Sequence, residues 1–379
     1  MKRKVKFLLG MLCILQVASS QQLPVILAQS NQVNIRDGQQ MIEGAWTIVP
    51  EYRPDVYLSS AKGERVTFYT DLDSISFIVE PERVHNFIIL LNGKDSAYTQ
   101  IKYEASHLEK LKMAEQYQVE KERKVPLFTY QDADDPNLVA LRRGFNLDSI
   151  AGTGNEVSQI LNLMHWIHDL IPHDGSSNNP VIQNAMELIG ICKAEERGLN
   201  CRGLAIVLNE CYLAMGFQSR FVTCMPRDTV FQDCHVINTV YANDLQKWIW
   251  VDPTHDAYIM DETGTLLGLE EVREKLIKDE MIILNPDANW NHQASTLKEN
   301  YLMHYMAKNL YRFSCVRHSQ YDVETPKNGK HLEYIELLPL DGLNQLPKTV
   351  KEQSEQTGMI YTTYKTNDPN IFWAKPKNE

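Results

Sequence analysis

The stretch "GLNCRGLAIVLNECYLAMGFQSR", Gly198 to Arg220, constrains the fold of this chain more than any other. From Cys201 onward, Leu204, Val207, Leu208, Cys211 and Met215 share one face at helical spacing, and Gly216 stands where helices commonly end. Three runs rich in Val, Ile, Phe and Trp follow at once: "SRFVTC", "HVINTVY" and "KWIWVD". A helix feeding directly into antiparallel strands has to bury its apolar face against the sheet they form, which makes the class α+β.

The rest of the chain arranges itself around that unit. "NEVSQILNLMHWIHDLI", residues 155–171, places Val157, Ile160, Leu161, Met164, Ile167, Leu170 and Ile171 at helical spacing behind Asn155 as N-cap, and "HDGSSNNP" stops it. A short helix through "AMELIG" precedes the central stretch. Further on, "LKENYLMHYMAKNL" reads as a helix, and "YRFSCV" with "HLEYIELL" as a hairpin. Between about Gln40 and Tyr103, "GAWTIVP", "DVYLSS", "RVTFYTD", "ISFIVEP" and "NFIILLNG" read as short strands bounded by turn residues, a small all-β domain. "HLEKLKMAEQYQVEKERK" is charged and helix-prone without an apolar stripe, as a linker would be.

The first residues have a different character. "MKRKVK" is basic, "FLLGMLCILQVA" is an apolar run too short for the roughly 20 residues that span a bilayer, and "SSQQ" is a small, polar exit. That is the layout of a secretory signal peptide, which predicts export to a periplasm or beyond and no stable membrane insertion. The expected organisation is a signal peptide over residues 1–20, a β domain over 21–110, a helical linker over 111–124, and a second domain with a C-terminal extension over 125–379. A formal charge of -11 argues against a nucleic-acid partner, which needs clustered Lys and Arg. Oligomeric state has no signal here.

Six cysteines follow the leader: Cys192, Cys201, Cys211, Cys224, Cys234 and Cys315. An oxidising compartment suggests three disulfides, but a chain of 379 residues that is 43% hydrophobic does not need them, and most of these cysteines sit in apolar surroundings where a free thiol packs well. Cys201 differs from the rest. If it opens the helix, unpaired backbone N–H groups and the positive end of the dipole favour its thiolate. The hairpin "HVINTVYANDLQKWIWVD" supplies a base. A two-residue turn at Asn243 and Asp244 sets His235 opposite Asp252; a four-residue loop, Asn243 to Gln246, sets Asp252 opposite Ile237, diagonal to His235 on the same face. A carboxylate beside a histidine orients the ring and stabilises its protonated form.

With those residues in view, roughly Glu156 to Thr254 resembles the transglutaminase-like superfamily, relatives of the papain fold. The resemblance lies in "GLNCRGLAIVLNECYLAMGFQSRFV" with its Cys-Arg-Gly helix start, in "HVINTVY" with its strand opened by His, and in the Asp-Pro-Thr of "WIWVDPT". It implies a catalytic domain in which Cys201 is the nucleophile, His235 the general base and acid, and Asp252 the orienting carboxylate, acting without metal or cofactor on a peptide, protein or small amide through a thioester. A position often Trp in the family is Ile237 here, and the second oxyanion donor beside the backbone N–H of Cys201 has no counterpart in these boxes. The competing reading is an exported binding module that keeps the fold with an inactive site.

Other candidates read as structural. His165, His168 and His173 invite zinc, but without an HExxH motif they read as helix-end and surface histidines. "DADDPN" starts like a calcium loop yet has Asn137 and Arg143 at the sixth and twelfth positions, and so reads as a turn. Cys234 should point away from His235 into the core, and Trp248 and Trp250 read as strand packing.

Overall fold

In the strand Gln32–Asp37, Val33 and Ile35 are fully buried while their neighbours are not, the two-residue alternation of a sheet with one face in a core. The structure, a computed structural model, describes residues 22–50, 53–114, 117, 124–227, 233–339 and 348–376, so the expected leader lies outside the described residues. The chain divides into two units, Met1–Ala105 and Ser106–Glu379.

The first unit holds two four-stranded sheets. One places Val25–Ala28 and Asp55–Ser59 outside the hairpin of His85–Leu91 and Asp95–Tyr103; the other orders Gln40–Thr47, Gln32–Asp37, Arg65–Tyr69 and Ser74–Ile78. Ile26, Val33, Ile35, Val66, Phe68, Phe87, Ile89 and Ile101 from both sheets form a single core. The strands Val25–Ala28, Gln32–Asp37 and Asp95–Tyr103 add to those the sequence suggests.

A seven-stranded sheet organises the second unit, in the order Lys247–Val251, His235–Ala242, Ser219–Met225, Arg312–Val316, His331–Leu337, Ile360–Thr366 and Thr349–Gln353. All neighbours are antiparallel except the pair His331–Leu337 and Ile360–Thr366. The sheet's strands Ser219–Met225, His235–Ala242 and Lys247–Val251 are buried on both faces. Phe221, Val236 and Val240 join a core with the helices Pro136–Gly144, Glu156–Leu170, Ala185–Glu195 and Cys201–Ala214. Val222, Ile237 and Trp250 join another with Leu111, the helix Leu269–Ile277 and the segment around Tyr301. The helix Cys201–Ala214 is buried along almost its whole length, which is why its sequence is apolar nearly all round.

Three local features bear on the expected elements. Of the expected linker, the described part is a helix over His107–Lys112 whose Leu111 packs in the core of the second unit, and most of 111–124 lies outside the described residues. "DADDPN" is the expected turn, closed by Asp135 N–H donating to the Asp132 carbonyl, and it leads straight into a helix with Asp135 capping Asn137 N–H and Pro136 at the first helical position. "ENYLMHYM", Glu299–Met306, is a helix of the wide i→i+5 kind, a form rarely longer than one turn and often found at functional sites.

Candidate active site

Cys201 is the first residue of its helix, and the fold makes that position unusually well defined. The Asn200 side chain caps the helix by accepting from the N–H groups of Arg202 and Gly203. Asn179 in turn donates to the Asn200 side chain at 2.8 Å and accepts from its backbone N–H at 3.1 Å. Gly203 is required by that clamp, because a Cβ there would lie 2.8 Å from the Asn179 amide. Gly198 is required by another close approach: its Cβ would fall 2.4 Å from the Pro172 carbonyl oxygen.

His235 opens the next strand but one, which is tied to the central helix by the Asn238 amide donating to the Ala205 carbonyl at 2.9 Å. The hairpin that follows uses the four-residue loop, with Ala242 opposite Lys247 and Asn238 opposite Val251. Asp252 therefore meets His235 diagonally, and its Oδ2 accepts from His235 Nε2 at 2.7 Å. The same oxygen accepts from the Tyr301 hydroxyl at 2.5 Å, and Oδ1 accepts from the Thr254 backbone N–H at 2.9 Å. Both residues are buried, and Tyr305 packs against the imidazole with ring centroids 5.3 Å apart.

The electrostatics follow from this packing. Burial acts against ionising Asp252, but the charge and hydrogen bond of His235, helped by Tyr301, hold its carboxyl far below the usual range. Burial also acts against the imidazolium, yet Asp252 and the Cys201 sulfur outweigh it and raise His235 to about 10. Burial pushes the Cys201 thiol up, whereas hydrogen bonds from His173 and His235, the His235 charge and the Val236 backbone N–H together bring it down to about 6. At neutral pH the resting state is a thiolate facing an imidazolium. His255, buried nearby and bonded to the Thr296 hydroxyl at 3.1 Å, is instead pushed down to about 4 by burial and by the neighbouring histidines, so it stays neutral.

The three residues predicted from sequence thus come together, and of them His235 lines a cavity of about 380 Å³ together with His173, His255, Trp290, Leu297 and Tyr305. Several further contributors had no signal in the sequence. His173 follows a helix stop and reaches Cys201 only because residue 173 bridges to Leu199. Tyr301 and Tyr305 come from the wide helix, and Trp290 from a small hairpin, Asn289–Trp290 with Ala294–Ser295.

Of the two helix histidines, His165 is partly exposed and His168 is not a surface group. His168 is buried, bonded to the Pro253 carbonyl oxygen and to Asn289 Oδ1, so it braces the turn after Asp252. His165 pairs with Asp256 at 2.5 Å, and Asp287 approaches the same spot. An ion pair between helix and turn accounts for that cluster. Cys234 is half-buried rather than core filler; burial and the nearby Cys201 sulfur push its thiol up. All six described cysteines are free thiols. Trp248 and Trp250 are buried in strand packing, Trp250 edge-on to Tyr301 and Trp248 against Arg220. Among the described residues, no helix is long and apolar enough to cross a membrane.

Residues 144–253 match the family described as the transglutaminase-like superfamily. Comparison with curated proteins finds no match. Among solved structures, a chain described as a "Putative Cysteine Protease" from Cytophaga hutchinsonii aligns at 19% identity over 34% of this chain and 40% of its own, with a TM-score of 0.25. Red sea bream transglutaminase aligns at 11% identity over 62% of this chain and 49% of its own, with a TM-score of 0.22. The chain thus spans under half the length of either structure. The matched segment, residues 144–253, contains the central helix, the His235 strand and Asp252.

Proposed function

We propose that this chain is a cysteine-dependent acyl-transfer enzyme acting on peptide or amide bonds, with water as the preferred acceptor. One observation carries the reading: a thiol at a capped helix start, brought down to about 6, faces a buried imidazole whose far nitrogen is bonded to a carboxylate at 2.7 Å. That combination supplies a nucleophile and an acid at the same pH.

In the proposed reaction the Cys201 thiolate adds to the carbonyl carbon, and the resulting oxyanion is met by the backbone N–H of Cys201. The C–N bond breaks as the His235 imidazolium gives its proton to the departing nitrogen, leaving a thioester and a neutral imidazole. That imidazole takes a proton from water, hydroxide adds to the thioester, and the acid leaves as thiolate and imidazolium are restored. Asp252 stays ionised throughout and keeps the His235 proton pattern fixed. Export by the N-terminal leader belongs to the same proposal and would place the reaction outside the cytoplasm.

The test is labelling with peptide and amide electrophiles followed by mapping of the modified residue. Cys201 is expected to carry the label, a substrate mimic to protect it, and Cys201→Ala to abolish turnover. A Cys201→Ala protein that kept full turnover would refute the mechanism.

A further inference from the structure

The oxyanion formed at Cys201 needs more than one donor, and the sequence boxes leave the second without a residue. The cavity wall offers one. His173 lines the same cavity as His235, and its ring is near enough to the Cys201 sulfur to help bring the thiol down. Its other partner decides what kind of group it is. The Trp290 indole Nε1–H points at His173 Nδ1 at 3.1 Å, and an indole nitrogen can only donate. Nδ1 is therefore the acceptor, the ring proton sits on Nε2, and the imidazole presents an N–H toward the sulfur. A ring in that tautomer cannot serve as a second base there, but it can donate.

The donor is also held rigidly, as an oxyanion site requires. Asn291, at a left-handed φ of 51°, accepts from the His173 backbone N–H at 2.7 Å and donates to the His173 carbonyl at 2.9 Å. On the other side, Leu199 N–H donates to the Pro172 carbonyl at 3.1 Å and Asp174 N–H donates to the Leu199 carbonyl at 2.7 Å. The absence of a side chain at Gly198 permits that approach. Residue 173 is thereby pinned beside residue 199, two positions before the nucleophile.

We infer that His173 is a catalytic residue, the second oxyanion donor, whose Nε2–H takes the substrate carbonyl oxygen as negative charge develops on it, with Trp290 holding the tautomer. This rests on the acyl-transfer reading above. No proton is transferred in this role: the N–H hydrogen bond shifts from the resting thiolate to the oxygen as the C–S bond forms, and returns when the tetrahedral species collapses.

The test separates two reactions of one sulfur. Acylation by p-nitrophenyl acetate passes through an oxyanion, whereas alkylation by iodoacetamide displaces iodide and does not. Limiting rates of both are measured above the thiol's titration, so that the sulfur is fully ionised in every variant. His173→Ala is expected to slow the p-nitrophenolate burst by roughly 10²–10³-fold while changing alkylation by less than about threefold. His173→Gln, which keeps an N–H donor, should recover part of the loss. Trp290→Phe, which frees the tautomer, should fall between. Equal slowing of both reactions, or an unchanged burst in His173→Ala, would overturn the assignment while leaving Cys201 chemistry intact. A wild-type protein without a burst, or a burst that survives in Cys201→Ala, would instead remove the acyl-transfer reading and the role of His173 with it.

Discussion

Replacing Asp252 by Asn removes one charge and keeps the shape of the side chain, which makes it a direct probe of the electrostatics at Cys201. His235 is raised from 6.5 to about 10, with the carboxylate as the main favourable cause against burial. At about 1.4 kcal/mol per unit, that is on the order of 5 kcal/mol of preference for the imidazolium, shared between Asp252 and the Cys201 thiolate. The amide also inverts the hydrogen bonding. Oδ1 accepts from the Thr254 N–H, so the oxygen of Asn should keep that place and its NH2 group should face His235 Nε2. An amide N–H there can only donate, forcing Nε2 to accept and moving the ring proton to the nitrogen that faces sulfur. Both effects weaken the ion pair and put the imidazole in the wrong tautomer to take a proton.

The assay is the iodoacetamide rate at Cys201 as a function of pH. The wild-type inflection is expected near 6, and Asp252→Asn should move it up by about one to two units, toward the ordinary thiol value. Turnover should fall by roughly 10⁴-fold, the loss seen when a triad carboxylate becomes an amide. An inflection unmoved by the substitution would refute the argument, since the thiol would then owe its acidity to the helix start and His173 alone.

Turnover against pH should rise through about 6, as Cys201 ionises, and fall through about 10, as His235 loses the proton it must give to the leaving group; a rising limb near 8.5 would contradict the resting ion pair. Tyr301→Phe removes the 2.5 Å bond to the buried carboxylate and should cost about 1.5–3 kcal/mol in denaturant unfolding, with a smaller upward move of the Cys201 inflection. Arg220 is fully buried between Phe128 and Trp248, with guanidinium-to-ring distances of 4.1 and 4.3 Å, and donates to the Phe372 carbonyl at 2.9 Å. Arg220→Ala should therefore destabilise the second unit by about 3–5 kcal/mol and loosen the C-terminal segment, with the Cys201 inflection unchanged; a thermal midpoint within a degree of wild type would refute that.

How much of this could be read from the chain depends on the range of each interaction. The central helix, its Asn155-capped neighbour and the hairpin were legible because their signals are local: a 3.6-residue stripe, a cap, a run of β-branched residues on either side of a turn. Any even-length loop puts His235 and Asp252 on one face, and the observed four-residue loop does so, whereas an odd length would have separated them. Asp95–Tyr103 carries little strand signal, because its buried positions are Ala97, Thr99 and Ile101, too small and mixed to stand out.

The residues that tune the site belong to a different class. Tyr301 and Tyr305 lie in a segment whose apolar spacing announces an ordinary helix, and nothing in a periodic reading distinguishes the wider i→i+5 turn that aims them at Asp252 and His235. His173 carries still less signal, since it is one polar residue in a loop, 28 positions before the nucleophile. It becomes part of the site only through a bridge to Leu199 that Gly198 permits and a hairpin more than a hundred residues later that holds its ring. The two glycines flanking Cys201 therefore mark places where backbone or side chains must come close, and it is at those approaches that distant residues enter the chemistry. By that argument Gly198→Ala, which would set a Cβ 2.4 Å from the Pro172 oxygen, should disturb His173 before it disturbs the helix. The expected signature is a slowed p-nitrophenyl acetate burst with near-normal alkylation, and a Gly198→Ala protein that lost both equally would show that the close approach supports the helix start instead.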